Sequence, residues 1–255
     1  ENGAHSGFIG TIGTDEIGSH IIACAKEKGI DISHCPIKEG ISGKAAVHII
    51  DGDRVFSSDY FNGEHGVGSL YPPMLSENDL EYMKTFDLIH GSCYAHIEDQ
   101  FCRLGSSGVL LSFDFSEEEK FRTKDYLNPL CSILDVALFS CEHMSDEAIR
   151  ALAHDVLRMG CKYVLSTMGG RGQRLFSYSG EVFEGHAKHI QAMDTMGAGD
   201  SFCAAMLTGL LKRGWRKNIP ITKAMASTAL SDAAEYSARN CLVRGSFGSG
   251  LKIAM

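Results

Sequence analysis

The chain has 255 residues, 44% of them hydrophobic, with 5 prolines and a formal net charge of −8. This length can bury one substantial α/β core or carry a main domain with a small appendage, and the composition excludes a largely disordered chain. The acidic balance argues against nonspecific binding to nucleic acid or to an anionic membrane, and no apolar run is long enough to span a bilayer.

In chain order, residues 7–13 read as a strand running into a turn, and 17–28 as a helix stopped by Gly29. Residues 45–50 and 54–58 are β-like runs around Asp51-Gly52-Asp53, a strong hairpin signal. The expectation is a β-hairpin lid at 41–63 on a main domain made of 1–40 and 64–255. Helices are predicted at 77–83, 97–104 and 126–134, and strands at 86–90, 109–114, 136–140 and 163–167. Ile149, Leu152, Val156 and Leu157 give 146–159 an apolar helical face, with Gly160 as its stop. Residues 175–178 and 181–185 form a second hairpin through Ser179-Gly180. Alternation of this kind predicts an α/β fold, with a mainly parallel sheet covered by helices on both faces.

The most informative stretch is Asp194-Thr195-Met196-Gly197-Ala198-Gly199-Asp200. Phe202, Cys203, Met206, Leu207, Leu210 and Leu211 follow at helical spacing, so the glycines feed a helix start. Free amides at a helix start attract anionic oxygens, and glycine lets a phosphate approach closely. Asp200 then stands beside an anion site, where a carboxylate serves as a proton acceptor for an attacking hydroxyl. The plain alternative is an acid favouring the helix N-terminus after an ordinary glycine turn. A dinucleotide fingerprint fails because Phe202 occupies the place of its third small residue, and no P-loop Lys-Ser or Lys-Thr follows a glycine at the required spacing. Ser201 as a hydrolase nucleophile needs a histidine, and the last one is His189, upstream of it.

A second glycine loop, Thr167-Met168-Gly169-Gly170-Arg171-Gly172, follows directly on a predicted strand. Strand ends are where open α/β sheets bind ligands; Thr167 offers a hydroxyl there and Arg171 a charge. Nine cysteines without a Cys-x-x-Cys pair fit reduced thiols in a cytoplasmic protein, and eleven histidines form no metal motif.

Asp194 to Asp200 matches the Asp-Thr-x-Gly-Ala-Gly-Asp signature of the ribokinase-like superfamily, the PfkB-type carbohydrate kinases, and the chain resembles that family over nearly its whole length. The resemblance implies a ribokinase-like three-layer sandwich with a small β-flap, and phosphoryl transfer from ATP with Mg2+ to a sugar hydroxyl. Asp200 would be the base, and the amides of Gly197, Ala198 and Gly199 the anion hole. Asp194, Thr195, Thr167, Gly169 and Gly172 would face the nucleotide, with room for a monovalent cation near Asp194. Segments such as Tyr94-Ala95-His96-Ile97-Glu98-Asp99 and Ser112-Phe113-Asp114-Phe115-Ser116 resemble most closely those of the fructoselysine 6-kinases. The implied acceptor is the 6-hydroxyl of fructoselysine or a related fructosamine, with another sugar or nucleoside as the alternative. A non-catalytic nucleotide or sugar sensor is the alternative of another class.

On the substrate side the expected residues are Asn62, Tyr94 and Asp114, with Lys44, Arg54, Tyr60 and His96 as further polar candidates. Exposed lid edges suggest a homodimer. Where many relatives carry an Asn-x-x-Glu that organises magnesium, this chain has Ser140-Cys141-Glu142-His143, which leaves Glu142 and Asp146 both open as the metal's acid. Relatives also carry an earlier strand with an acid and a Gly-Gly-Asn segment, so the sequence is expected to lack its natural N-terminus.

Overall fold

The structure, a computed structural model, describes residues 3–44, 47–50, 53–56, 66–245 and 248–249, with 47–50 and 53–56 described by their backbone. The chain opens with strand β1 (Ile12–Gly13), helix α1 (Glu16–Glu27) and strand β2 (Ile37–Lys38), which pairs in parallel with β1. Asp15 caps α1 by accepting the Gly18 N–H at 2.9 Å, and it also accepts the Ser42 hydroxyl at 2.8 Å. The strand predicted at 7–13 is shorter than expected: Gly7 makes only an isolated bridge to Asp31 before β1. Glycines at 7, 10 and 13 leave that segment few side chains to pack.

Strands β3 (Val47–Ile50) and β4 (Asp53–Phe56) form an antiparallel two-stranded sheet of their own, as the hairpin signal predicts. Tyr60, Asn62 and the remainder of the expected lid from residue 57 lie outside the described residues, as does the Arg54 side chain. Lys44, at the foot of the hairpin, is half-buried. Two short helices follow, α2 (Val67–Leu70) and α3 (Glu77–Met83); a Ser76–Asp79 capping box opens the second.

From there strands and helices alternate: β5 (Leu88–Ser92), α4 (Glu98–Cys102), β6 (Leu110–Asp114), α5 (Lys124–Cys131), β7 (Val136–Ser140), α6 (Asp146–Arg158) and β8 (Tyr163–Thr167). The hairpin β9 (Gln173–Ser177) and β10 (Val182–Gly185) precedes the long helices α7 (Ala198–Lys212) and α8 (Lys223–Asn240). The central sheet has six strands in the order β10-β9-β8-β7-β6-β5; β5 to β8 run parallel, and β9 is antiparallel to both of its neighbours, β8 and β10.

Side chains alternate across a strand, so each strand feeds two cores. Leu111, Phe113, Ala137, Phe139 and Val164 pack with Phe101, Leu127, Leu130, Ile149 and Val156 of α4 to α6. Leu110, Val136, Leu138, Tyr163 and Leu165 face the other way, onto Phe202, Met206 and Leu210 of α7 and onto Leu230 of α8. The result is the expected three-layer α/β/α sandwich. Helix α8 has no counterpart among the predicted elements. Its buried residues are mostly alanines, Ala226, Ala229, Ala233 and Ala234, which let it lie close along α7.

This topology decides where chemistry can occur. Ser92 is in register with Asp114, and Ser140 with Thr167, so the carboxyl ends of β5 to β8 gather at one edge of the sheet.

Candidate active site

Helix α7 begins at Gly197, whose φ of 72° is a left-handed conformation that glycine adopts without cost. The Ala198 N–H turns back to the Thr195 carbonyl at 3.1 Å, whereas the amides of Gly197, Gly199 and Asp200 have no acceptor among the described residues. A Cβ added at Gly199 would meet nothing within 4 Å, so the fold's own packing does not demand a glycine there. Beneath this turn lies Asp194, only 2% exposed. Its carboxylate accepts the Met196 N–H at 3.0 Å and the Gly245 N–H at 2.8 Å, which braces the loop from below. Thr195 is exposed above it. Ser237 of α8 donates its hydroxyl to the Ala198 carbonyl at 2.8 Å, tying the two long helices together at this end.

Asp200 makes no hydrogen bond or ion pair among the described residues. Its rim is open to solvent, yet the protein packed around its base disfavours the charged form and raises its pKa. Asp114, at the end of β6, is near enough to feel the charge of Asp200. Its pKa is pushed up to about 6, first by desolvation and further by the negative charge of Asp200, against the pull of the Ser116 N–H. Cys203, one turn along α7, is buried close to both acids; desolvation and their charges raise its thiol pKa.

The rim beside Asp114 comes from the turns after β5 and β6. Tyr94 sits in a 3-10 turn, Cys93–Ala95, and is 54% exposed. Its hydroxyl shares a hydrogen bond with the Ser116 hydroxyl at 2.9 Å and donates to Glu118 at 2.7 Å, while its ring packs edge-on against Phe121. Burial, with the Glu118 carboxylate adding to it, pushes the Tyr94 phenol up to about 12. Ser116 has a φ of 58°, unusual for a residue with a side chain, and its N–H donates to Asp114 Oδ1 at 2.7 Å. Arg122 holds that turn by donating to the carbonyls of Ser116 at 3.2 Å and Ser140 at 2.6 Å. His96 ends the preceding turn at φ 52° and is exposed.

The second glycine loop is more heavily used by the chain itself. Thr167 is half-buried at the end of β8, and its carbonyl accepts the Cys141 N–H at 2.7 Å. The Glu142 carboxylate lies against Gly169, in the space a Cβ would take. Gly172, at φ 91°, presses on the Gly185 carbonyl. Arg171, expected to offer a charge to a ligand, instead donates to the carbonyls of Cys141, Glu142 and Met144 at 3.0, 2.8 and 2.8 Å and to Asp146 at 3.1 Å. Arg174 reaches the other oxygen of Asp146 at 2.7 Å. Two guanidiniums therefore hold Asp146 below the usual carboxylate range, Arg174 chief among them, and Glu142 is the uncommitted acid of this loop.

The structure thus unites Asp200, Asp114, Tyr94 and the Gly197 to Gly199 turn at one sheet edge, with Thr167 and Gly169 at the neighbouring strand end. Sequence reasoning missed Ser116, Glu118 and Arg122; the Ser-Glu-Glu-Glu run after β6 carries no motif. A separate cavity of about 390 Å³, lined in part by His34, Cys35, Met74 and Asp79, shares no residue with this site.

The chain matches the pfkB family carbohydrate kinase over residues 2–238. It belongs to that family. This pfkB kinase is 32% identical over 225 residues to fructoselysine 6-kinase of Shigella flexneri, covering 88% of this chain and 80% of that protein. It is 32% identical over 252 residues to fructosamine kinase FrlD of Bacillus subtilis, covering 97% and 81%. Among solved structures, ribokinase of Arabidopsis thaliana complexed with ribose and ATP aligns with a TM-score of 0.74 at 20% identity, over 96% of this chain and 78% of that one. A putative ribokinase II of E. coli in complex with ATP and Mg2+ aligns with a TM-score of 0.72 at 21% identity, over 97% and 80%. The fold is therefore ribokinase-like, and the activity class is ATP-dependent phosphoryl transfer to a carbohydrate.

Proposed function

We propose that this kinase transfers the γ-phosphoryl group of ATP to the 6-hydroxyl of fructoselysine or a related fructosamine, with Asp200 as general base. The observation that carries the reading is the unpaired Asp200 carboxylate on the same helical turn as amides that have no acceptor among the described residues. The acceptor hydroxyl donates its hydrogen bond to Asp200. As its oxygen attacks the γ-phosphorus, the proton passes to that carboxylate, whose raised pKa makes it a better base. Negative charge on the transferred group is met by the Gly197 and Gly199 amides and by the positive end of α7. The similarity to kinases named for fructoselysine and fructosamine supports the choice of acceptor.

Thr195, Thr167, Gly169 and Gly172 are proposed to flank the nucleotide, and Asp194 to keep their neighbour loop in shape. Among the described residues no group of three metal-ligating side chains is present. Mg2+ is proposed to be held mainly by phosphate oxygens and water, with Glu142, which makes no ion pair among the described residues, as a candidate acid. When bound, Mg2+ offsets the charge of the polyphosphate. A monovalent cation beside Asp194 would have to share a carboxylate both of whose oxygens already accept backbone amides.

The hairpin is proposed to be a lid over the sugar, spanning 41–63 against a main domain of 1–40 and 64–255, and Asn62 to belong to it. Exposed Ile37, Leu70, Tyr71 and Met74 flank that segment in the sequence, exposed Ile41 begins it, and together they suit a homodimer formed through the lid. Nine cysteines that form no disulfide, and the lack of any helix long and apolar enough to cross a membrane among the described residues, agree with a cytoplasmic location.

A coupled assay over fructoselysine, fructose, ribose and adenosine tests the acceptor, with Asp200→Asn beside the wild type. Fructoselysine should be turned over best, and the variant should bind ATP without turnover. Preference for ribose or adenosine would overturn the acceptor assignment, and an active variant would overturn the base.

A further inference from the structure

A fructosamine differs from fructose by a basic amine at C1, which is cationic near neutral pH. A site that selects it needs an anion that is partly desolvated, fixed in place and not already neutralised by a cation of the protein. Asp114 meets all three conditions. It is half-buried at the end of β6, and Ser116, held in a left-handed conformation, fixes Oδ1 with its N–H at 2.7 Å. It stands at the carboxyl end of β6, no lysine, arginine or histidine among the described residues pairs with it, and the charge that reaches it is that of Asp200. Two other acids at this edge of the sheet are already matched, Glu118 by Lys120 at 2.7 Å and Asp146 by Arg171 and Arg174.

We infer that Asp114 is the specificity-determining residue of this site, its second carboxylate oxygen binding the ammonium of an aminated sugar while Asp200 serves the hydroxyl to be phosphorylated. The assignment rests on the fructosamine reading above. A ligand cation here supplies the counter-charge that the fold withholds, so binding relieves the repulsion between the two acids. A neutral sugar of the same shape gains nothing from Asp114 beyond an ordinary hydrogen bond.

The test compares Asp114→Asn with wild type on fructoselysine, fructose and a 1-O-alkyl fructose ether, a neutral near-isostere of the amine. Asparagine keeps an acceptor for the Ser116 N–H and removes only the charge. The KM for fructoselysine should rise roughly ten- to a hundredfold, the usual range for losing a charged hydrogen bond, and by a clearly larger factor than the KM for fructose. Wild type should also prefer the amine to the ether by about the same factor, a measurement that stands even if the variant fails to fold. Equal losses on amine and fructose, or no wild-type preference for the amine, would overturn the role of Asp114. If wild type phosphorylates ribose or adenosine but neither fructoselysine nor fructose, the fructosamine reading has failed, and this assignment falls with it.

Discussion

The two glycine loops at the strand ends have similar composition and opposite commitments. In the loop after β8, Gly172 meets the Gly185 carbonyl, Glu142 covers Gly169, and Arg171 is spent on the carbonyls of residues 141–144. At the head of α7, Gly199 faces open space, and among the described residues three amides find no acceptor and the Asp200 carboxylate no partner. One loop satisfies the chain's own groups and the other leaves them unsatisfied. Unsatisfied polar groups on a rigid helix start are what a ligand can use, because the fold has already met the cost of ordering them.

The sharpest way to break this contrast is Asp200→Asn, expected to lower turnover by roughly 10²–10⁴-fold with unchanged folding, as read by steady-state kinetics beside a thermal melt. Gly172→Ala should act first on stability. Positive φ and a backbone clash put the expected loss of stability at about 2–4 kcal/mol, read as a lowered denaturation midpoint. Gly199→Ala separates the two roles most cleanly. A methyl there meets nothing in the fold and favours the helix, so the midpoint should hold while kcat/KM for ATP falls about tenfold because the phosphoryl is kept off the amides. If Gly199→Ala is as active as wild type, the α7 turn is not the phosphoryl site.

The smallest effect concerns pH. Asp114 has its pKa raised from its ordinary value of 3.8 to about 6, so the folded state binds this proton more tightly than the unfolded state does. That contribution to stability is present below about pH 4 and lost as pH rises through about 6. Asp114→Asn, which cannot ionise, should therefore be more stable than wild type above pH 6, by about 1 kcal/mol or roughly 2–4 °C in Tm. Near pH 4 the two should melt together. Calorimetry at both pH values checks this; a variant less stable than wild type at pH 7 would show that the Asp114 charge is already compensated.

Much of the parallel sheet was legible because its strands are short, buried on both faces and bounded by turns. The predictions at 136–140 and 163–167 coincide with β7 and β8. The start of α7 was legible from its glycines and the apolar spacing that follows. Helix α8 was not, because alanine buries well against α7 yet contributes little to an amphipathic pattern. The strand predicted at 7–13 failed for a related reason: its glycines allow an extended path without supplying the packing that would hold a longer ladder. Asp200 and Asp114 could each be picked out from their position after a glycine turn or on a predicted strand.

Local rules acting over a few residues, namely apolar periodicity, capping and the glycine turn into α7, were enough to establish an α/β sandwich and to single out the helix start at Gly197 from the sequence alone. Only the tertiary structure decided that Asp114 feels the charge of Asp200, that Asp146 belongs to two arginines, and that Arg171 serves the fold. Electrostatic pairing depends on distance through space, and strands brought side by side by register create proximities that the order of residues does not encode.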